Sequence, residues 1–484
     1  MLLPLLAAIT LTVSSASSRA VSLAWTGATG PVVVQRKPAG TPWPTEPPPA
    51  PLATVPDAAY TDQAIEAFAT YTYRVKAGAV LSNEVTVGPP PVGFSMVHPM
   101  PAALRAARLD AFAALTRLTF DGNGDPMVAY VTTDPNGDGE TSDGEIWTIT
   151  WNRARYRWND GVKVDAVGAI STSGSAVPFS VARDSAAGVF GLLYVMGGAH
   201  ELRLATSKDG AAWSSAVVRK TNDEASAVAS PALAMAGGRV HVAYTAGPDT
   251  LLYQTGALTD APSAWRTTRA PHPGDSKRYT ASCVNLLLDA AGAASLGFCT
   301  PPEDGYNTTA WYWPVGGTAT KIMDTNGKQT DDPSLALARR GATVVAVFGG
   351  ARDERFYADH HFFGSVSRTA GSAWSTPTAI ADDGGHAMAT PLTVGVHANN
   401  AFSAAAIVNG GTEGKNRCGQ FKLARSATGE AWVTCGPQTT GLPDTSNPGA
   451  AVLGVAGNDK LYVAFRVTGS ALGLQPGLAL WRER

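Results

Sequence analysis

One pairing of residues recurs down this chain and limits what it can fold into. Apolar runs close on a small or apolar residue followed by an aromatic or apolar one: Ala129-Tyr130, Leu193-Tyr194, Ala243-Tyr244, Gly297-Phe298, Val347-Phe348, Ala406-Ile407 and Ala464-Phe465. Phe465 stands 335 positions after Tyr130, in six steps of about 56, a period typical of repeated structural units. Gly-containing turns precede these ends, as in Asp289 to Gly292, Ala236 to Gly238 and Ala456 to Asn458. A variable polar loop follows each end, then a third run, a turn and a fourth run. Four strands per unit and seven units predict a seven-bladed β-propeller, with six blades as the alternative. The last unit shows only three clear runs. Its fourth strand is expected from residues between Gly93 and Leu109, which would close the ring.

Composition fits an all-β chain: 51 Gly and 33 Pro, only 16% charged residues, and few stretches of helical apolar period. A net charge of −2 without a basic run argues against a nucleic-acid partner. No later apolar run is long enough to cross a bilayer, so no transmembrane segment is expected in the mature chain. Leu2 to Val13, followed by small residues, reads as a signal peptide within residues 1–20, although the usual basic start is missing. The same residues, Ala8 to Val13, also read as a first strand. Export to the cell surface or medium is the favoured expectation.

Residues 8–88 carry strand-like alternation in Val21 to Trp25, Val32 to Arg36, Thr70-Tyr71-Thr72-Tyr73-Arg74-Val75-Lys76-Ala77 and Ser82 to Val87. This pattern resembles a fibronectin type III domain, and the resemblance makes Tyr71 the tyrosine-corner residue. Pro42 to Pro56 reads as a long surface loop, and Val87 to Val92 as a linker. The propeller is expected over 93–484.

A turn series marks the third-to-fourth strand connections: Ser207-Lys208-Asp209-Gly210-Ala211-Ala212-Trp213, Ser367 to Trp374, Ser426 to Trp432, and the looser Ala261 to Trp265. The series resembles the Asp-box, or bacterial neuraminidase repeat, of sialidase-like β-propellers. Only the first copy keeps both Asp and Gly, and it is one residue shorter than the family pattern Ser-x-Asp-x-Gly-x-x-Trp. In an antiparallel blade these turns share one end with the first-to-second turns. They are therefore expected to be structural, with Asp209 bonding its own turn.

The opposite end gathers the second-to-third loops and the links between blades. Its densest stretch runs from Gly349 to His361. The candidate catalytic or binding residues there are Arg278, Arg352, Asp353, Arg355, Tyr357 and His361. The likeness to sialidases implies three arginines clamping a carboxylate, a Tyr nucleophile with a Glu partner, and an Asp acid/base. Arg278, Arg352, Arg355 and Arg417 could form such a clamp, and Tyr357 or Tyr279 could be the phenol. The family's Phe-Arg-Ile-Pro motif is absent, and the nearest string, Phe465-Arg466-Val467, stands in the last unit. A polysaccharide lyase would instead need a base such as His360, His361, His386 or Tyr357. A lectin would need rim aromatics, for which Trp311 and Trp313 are candidates. The reading is an exported protein that binds or processes an extracellular glycan or glycoprotein through this loop face. A sialidase-like hydrolase and a lyase both stay open. A non-enzymatic adhesin, lectin or scaffold is the alternative.

Two further expectations concern ions and thiols. Asp134, Asn136, Asp138, Glu140 and Glu145 match the spacing of a calcium loop, with Gly139 at its sharp turn. They predict a structural calcium between two strands rather than two helices. The four cysteines are placed across hairpins, which predicts disulfides Cys283–Cys299 and Cys418–Cys435.

Overall fold

The computed structural model describes residues 8–16, 20–44, 51–63, 65, 70–87, 92–99, 116–132, 144–155, 157–168, 178–197, 200–221, 228–247, 249–273, 280–300, 307–326, 334–351, 362–382, 393–398, 401–407, 421–434, 439–440, 451–457, 459–467 and 477–483. Apart from a single 3-10 turn at Pro262–Ala264, the regular structure among them is all β.

Eight strands build an N-terminal unit: β1 (Thr10–Ala16), β2 (Val21–Thr26), β3 (Val32–Pro38), β4 (Ala53–Val55), β5 (Ala59–Asp62), β6 (Tyr71–Ala77), β7 (Val80–Leu81) and β8 (Val85–Val87). One sheet runs β1-β2-β5 and the other β4-β3-β6-β7, with β8 also paired to β6. Strand alternation sends Val21, Leu23 and Trp25 to the same face of β2, and they share a core with Val32, Val34, Tyr73 and Val75. Ile9 and Leu11 belong to that core. Asn83 fixes Leu11 on both sides, its Oδ1 accepting from Leu11 N at 2.8 Å and its Nδ2 donating to Leu11 O at 3.0 Å. Residues 10–16 are thus a strand of this unit. Asp62 is fully buried and takes two donors, Tyr73 OH at 2.9 Å and Arg36 Nη1 at 2.8 Å. Burial and Asp62 push the Tyr73 phenol far above its ordinary range. Tyr71 is packed in the core beneath Arg36, whose guanidinium lies 4.6 Å from its ring centre.

The rest of the chain repeats one motif. β9 (Val92–Pro99) leaves the N-terminal unit to pair with the last strand. The first sheet holds β10 (Thr116–Phe120), β11 (Pro126–Thr132), β12 (Glu145–Asn152), β13 (Arg157–Trp158) and β14 (Val162–Ala166). The second holds β15 (Phe179–Asp184), β16 (Val189–Val195), β17 (Glu201–Ser207) and β18 (Ser214–Lys220), and the third β19 (Val228–Ala236), β20 (Arg239–Ala246), β21 (Leu251–Ala257) and β22 (Arg266–Arg269). In the fourth are β23 (Thr280–Leu288), β24 (Ala294–Thr300), β25 (Asn307–Pro314) and β26 (Thr320–Asn326), and in the fifth β27 (Ser334–Arg340), β28 (Thr343–Ala351), β29 (Phe362–Thr369) and β30 (Thr378–Asp382). The sixth comprises β31 (Thr393–Val396), β32 (Phe402–Ile407), β33 (Phe421–Ser426) and β34 (Val433–Thr434). A last sheet combines β36 (Ala451–Val455), β37 (Leu461–Val467) and β38 (Gly477–Glu483) with β9, and the short β35 (Thr439–Thr440) runs parallel to β9.

Each recurrent residue pair falls on the second strand of its sheet, where Tyr130, Tyr194, Tyr244, Phe298 and Phe348 are fully buried. First strands stand beside one another in sequence: β10 by β15, then β19, β23, β27, β31 and β36, with β36 beside β10. Neighbouring sheets share apolar cores. The seam between the last sheet and the first is filled by Tyr462, Ala464 and Leu480 against Val128, Tyr130 and Trp151. Close approach needs missing side chains at two points: a Cβ on Gly191 would meet Met235 at 2.3 Å, and one on Gly297 would meet Leu337 at 2.5 Å.

Candidate functional site

Antiparallel order places the first-to-second and third-to-fourth turns of every sheet at one end, the turn rim. The second-to-third connections and the links between sheets lie at the other, the loop rim. At the loop rim Ala351 pairs with Phe362, and Phe362 pairs with Asp382. The 352–361 connection and the 383–392 link therefore start from neighbouring positions. Arg352, Asp353, Arg355, Tyr357 and His361 belong to the first of these, and Arg278 to the link before β23. All six lie outside the described residues, as do Asp134, Asn136, Asp138 and Glu140. Glu145 is described: its carboxylate accepts from Lys163 Nζ and, at 3.0 Å, from Trp147 Nε1. Among the described residues no three His, Cys, Asp or Glu stand close enough to hold a metal.

Trp313 is buried in the core, and its indole donates to Gly317 O at 3.1 Å. Trp311 donates to Thr300 Oγ1 at 2.9 Å. Cys299 is 1% exposed, and no described cysteine is a free thiol. Cys283 lies on the neighbouring strand β23.

The turn rim is described in more detail. Asp209 does bond its own turn, its Oδ1 accepting from Ala211 N at 2.8 Å and Ala212 N at 3.0 Å. Those N–H groups hold its carboxyl below the ordinary carboxylate range, so it is a charged acceptor and not a proton donor. Ser207 Oγ accepts from Gly210 N at 2.8 Å, and Gly210 takes φ +73°, which favours glycine. The copy at Ser426 repeats the frame, with Ser426 Oγ accepting from Gly429 N at 2.7 Å. There Thr428 replaces the Asp and accepts from Glu430 N and Ala431 N at 3.2 and 3.4 Å.

Each turn's Trp docks on one position of the preceding sheet's third strand. Trp213 Nε1 donates to Thr148 Oγ1 at 3.1 Å, and Trp432 Nε1 to Ser365 Oγ at 2.7 Å. Trp374 meets Tyr312 edge-on at 5.7 Å between ring centres, and Trp265 shares a core with Leu204. Where the partner is Tyr or Leu, the buried indole N–H has no acceptor among the described residues.

Two constellations resemble chemistry without being placed for it. His397 contacts Asp459 Oδ1 through Nδ1 at 3.1 Å and Ser403 Oγ through Nε2 at 2.7 Å, the bonding order of a hydrolytic triad. Ser403 is fully buried, so no substrate carbonyl reaches it. His241 Nδ1 lies 2.6 Å from Tyr253 OH, and burial, with Arg239 nearby, lowers the imidazole to about 4. It is neutral at pH 7 and 4% exposed, which suits a core and not a general base.

The turn rim also holds a cleft of about 300 Å³ between the first and second sheets. Asp121 and Asn123 of the β10–β11 turn form one wall, Arg183 and Phe190 another, and Lys208 and Asp209 of the β17–β18 turn the third. Trp151 and Asn159 also line it. Reading the sequence as a series of structural turns passed over this cleft, because nothing local to those turns marks it.

The chain is thus an all-β protein of repeated, mostly four-stranded sheets. No family model matches it, and no curated protein does. Solved structures similar to it include the SapL1 lectin with alpha methyl fucoside, at 13% identity and TM-score 0.40 over 67% of this chain and 96% of that one. The NanB sialidase from Streptococcus pneumoniae aligns at 11% identity and TM-score 0.41 over 99% and 92%. An alpha-L-arabinanase from Penicillium chrysogenum with arabinobiose aligns at 11% and 0.32 over 52% and 92%. These likenesses are too distant to carry the fold or the function of this chain.

Proposed function

We propose that this chain is a glycan-directed, seven-bladed β-propeller preceded by a fibronectin type III-like sandwich, exported, and acting through its loop rim. The observation that carries the site is the common strand polarity of the sheets. The strands on either side of the connection bearing Arg352, Asp353, Arg355, Tyr357 and His361, and of the link bearing Arg278, meet those segments at one end, which supports the reading. The succession of first strands from β10 to β36 and back to β10 supports seven blades. Polar and ionisable groups converging at a propeller mouth suit hydroxyl-rich and acidic sugars. Glycan-array binding, run beside sialidase, glycosidase and lyase assays, tests the reading. Alanine at Arg352, Arg355 or Tyr357 should weaken binding or turnover at least tenfold with little change in melting temperature. Unaltered binding and turnover in all three variants would reduce the loop to a solvated rim.

We also propose that the 134–145 segment holds a structural calcium. A ligand bound only to the folded state raises stability, so a chelator should lower the melting temperature of wild type but not of Asp134→Ala/Asp138→Ala. An unchanged wild type with no bound calcium would refute the site. Cys283–Cys299 and Cys418–Cys435 are proposed as disulfides of the exported protein. The pairing of β23, which carries Cys283, with β24, which carries Cys299, supports the first bridge. Non-reducing peptide mapping should recover both bridges, and four free thiols would rule them out.

A further inference from the structure

Two arginines hold the same position in different sheets and meet different fates. Phe179 pairs with Tyr194 and Leu335 with Phe348; Arg183 and Arg339 stand four residues further along. Each faces the first-to-second turn of the preceding sheet. Those turns close alike, Gly124 N donating to Asp121 O at 3.1 Å and Gly292 N to Asp289 O at 2.9 Å. Arg339 is engaged there through both terminal nitrogens, Nη1 reaching Asp289 Oδ2 at 3.5 Å and Nη2 reaching Ser295 Oγ at 3.2 Å and the Tyr312 hydroxyl, while its Nε, like that of Arg183, has no partner among the described residues.

At the first and second sheets Asp121 keeps the place of Asp289, but the other two acceptors are gone. Met127 stands where Ser295 would, and Thr148 where Tyr312 would. Methionine offers Arg183 no useful acceptor. The Thr148 hydroxyl already accepts from Trp213 and donates to Gly210 O at 3.2 Å. Arg183 keeps one long bond, Nη1 to Ser185 Oγ at 3.5 Å, and its buried Nε has no partner. The guanidinium rests 5.6 Å from the Phe190 ring centre and borders the cleft.

We infer that this turn-rim cleft is a binding site for a neutral, hydroxyl-rich saccharide unit, separate from the loop rim. Arg183 and Lys208 supply cationic donors, Asp121 and Asp209 anionic acceptors, and Asn123 an amide. An anion or a cation entering here meets a like charge on one wall. A neutral polyol donates to the carboxylates and accepts from the cations at once, which leaves no buried polar group unpaired. The volume lies at the low end for ligand pockets and suits a single sugar unit. The site extends the glycan reading to the opposite rim and does not depend on the loop residues.

The test is isothermal titration calorimetry of the full chain with methyl glycosides of glucose, galactose, mannose and fucose, with glucuronate and sulfate as charged probes. The variants are Lys208→Ala, Gly122→Leu and, on the other rim, Arg352→Ala/Arg355→Ala. Gly122 has no positive φ, and a Cβ there would meet the Arg183 guanidinium, nearest at Nη2, 3.1 Å away, so the larger side chain fills the cleft without straining the turn. Saturable binding of a neutral glycoside, weakened at least tenfold by Lys208→Ala and Gly122→Leu and kept by the loop variant, is expected. Should Gly122→Leu fail to fold, exposed Lys208 alone decides. Three outcomes overturn the site: no saturable neutral ligand, saturation by glucuronate or sulfate only, or neutral binding that cleft variants leave intact. Binding lost only in the loop variant would leave the loop-rim reading standing and refute this one.

Discussion

Glu483 carries a carboxylate at 1% exposure and is stable there because Arg425, itself buried, donates to it at 2.7 Å. Its second oxygen accepts from Leu461 N at 3.3 Å. The pair joins the third strands of the last two sheets. Deleting one partner strands the other charge away from water, so Glu483→Ala should cost about 3–5 kcal/mol by urea unfolding. Arg425→Met/Glu483→Leu should cost clearly less than that single change, because no charge is left behind. A loss under about 1 kcal/mol for Glu483→Ala would mean the pair is hydrated in solution. His241 supplies a pH dependence of known sign. Its imidazole is lowered from 6.5 to about 4, first by burial and then by Arg239. The unfolded chain therefore binds the proton first, and stability falls as pH drops from about 6.5 toward 4, by up to about 3 kcal/mol. His241→Gln should remove that part of the slope in unfolding curves taken at pH 7, 5.5 and 4.5. An identical slope in the variant would assign the loss elsewhere.

The turns that begin at Ser207 and Ser426 show how a local pattern becomes an inter-sheet joint. Asp209 and Thr428 occupy equivalent places, and the charged acceptor makes the shorter bonds. Charge-assisted bonds are the stronger kind. Asp209→Thr should therefore lower stability by about 0.5–1 kcal/mol, and Thr428→Asp should raise it by a similar amount, both read as shifts in urea midpoint. Equal effects of the same sign would show that the turn residue does not set the joint. These elements were legible in the sequence because their information is local. The paired ends such as Ala129-Tyr130 sit on second strands, and the Asp-Gly turn before Trp213 is a tight hairpin, as their alternation and turn residues imply. The rim cleft was not legible. The engagement of Arg183 beside it depends on Met127 and Thr148 standing in one sheet where Ser295 and Tyr312 stand in another, and on which of them meets an arginine from the next sheet. Such a comparison needs register across sheets, which no stretch of sequence displays. The strand at Thr10–Ala16 lies between these cases. Its apolar run fits export and core equally, and the bonds from Asn83, 72 residues away, tie it to the sandwich.

At the scale of the whole molecule, the two ends of the repeated region meet in one sheet. β9 pairs with β38 from Ala479↔Pro99 to Glu483↔Phe94, although nearly four hundred residues separate them. β38 in turn pairs with β37, and Leu480 enters the core that seals the last sheet to the first. Removing residues 477–484 would leave β9 with only its two-residue parallel contact to β35 and would bare one edge of β37, would open that seam, and would take Glu483 from Arg425. Non-local pairing of this kind rewards the chain only once both ends are in place. The N-terminal sandwich has its own core, made of residues from β1 to β8 with Ile9 before β1 and Ile65 between β5 and β6. A chain ending at residue 476 should therefore lose the cooperative unfolding transition of the repeated sheets and keep that of the sandwich. Differential scanning calorimetry with limited proteolysis would show this as one small residual transition and a protected fragment of about ninety residues. A truncated chain that retains the full transition would mean that β9 closes nothing.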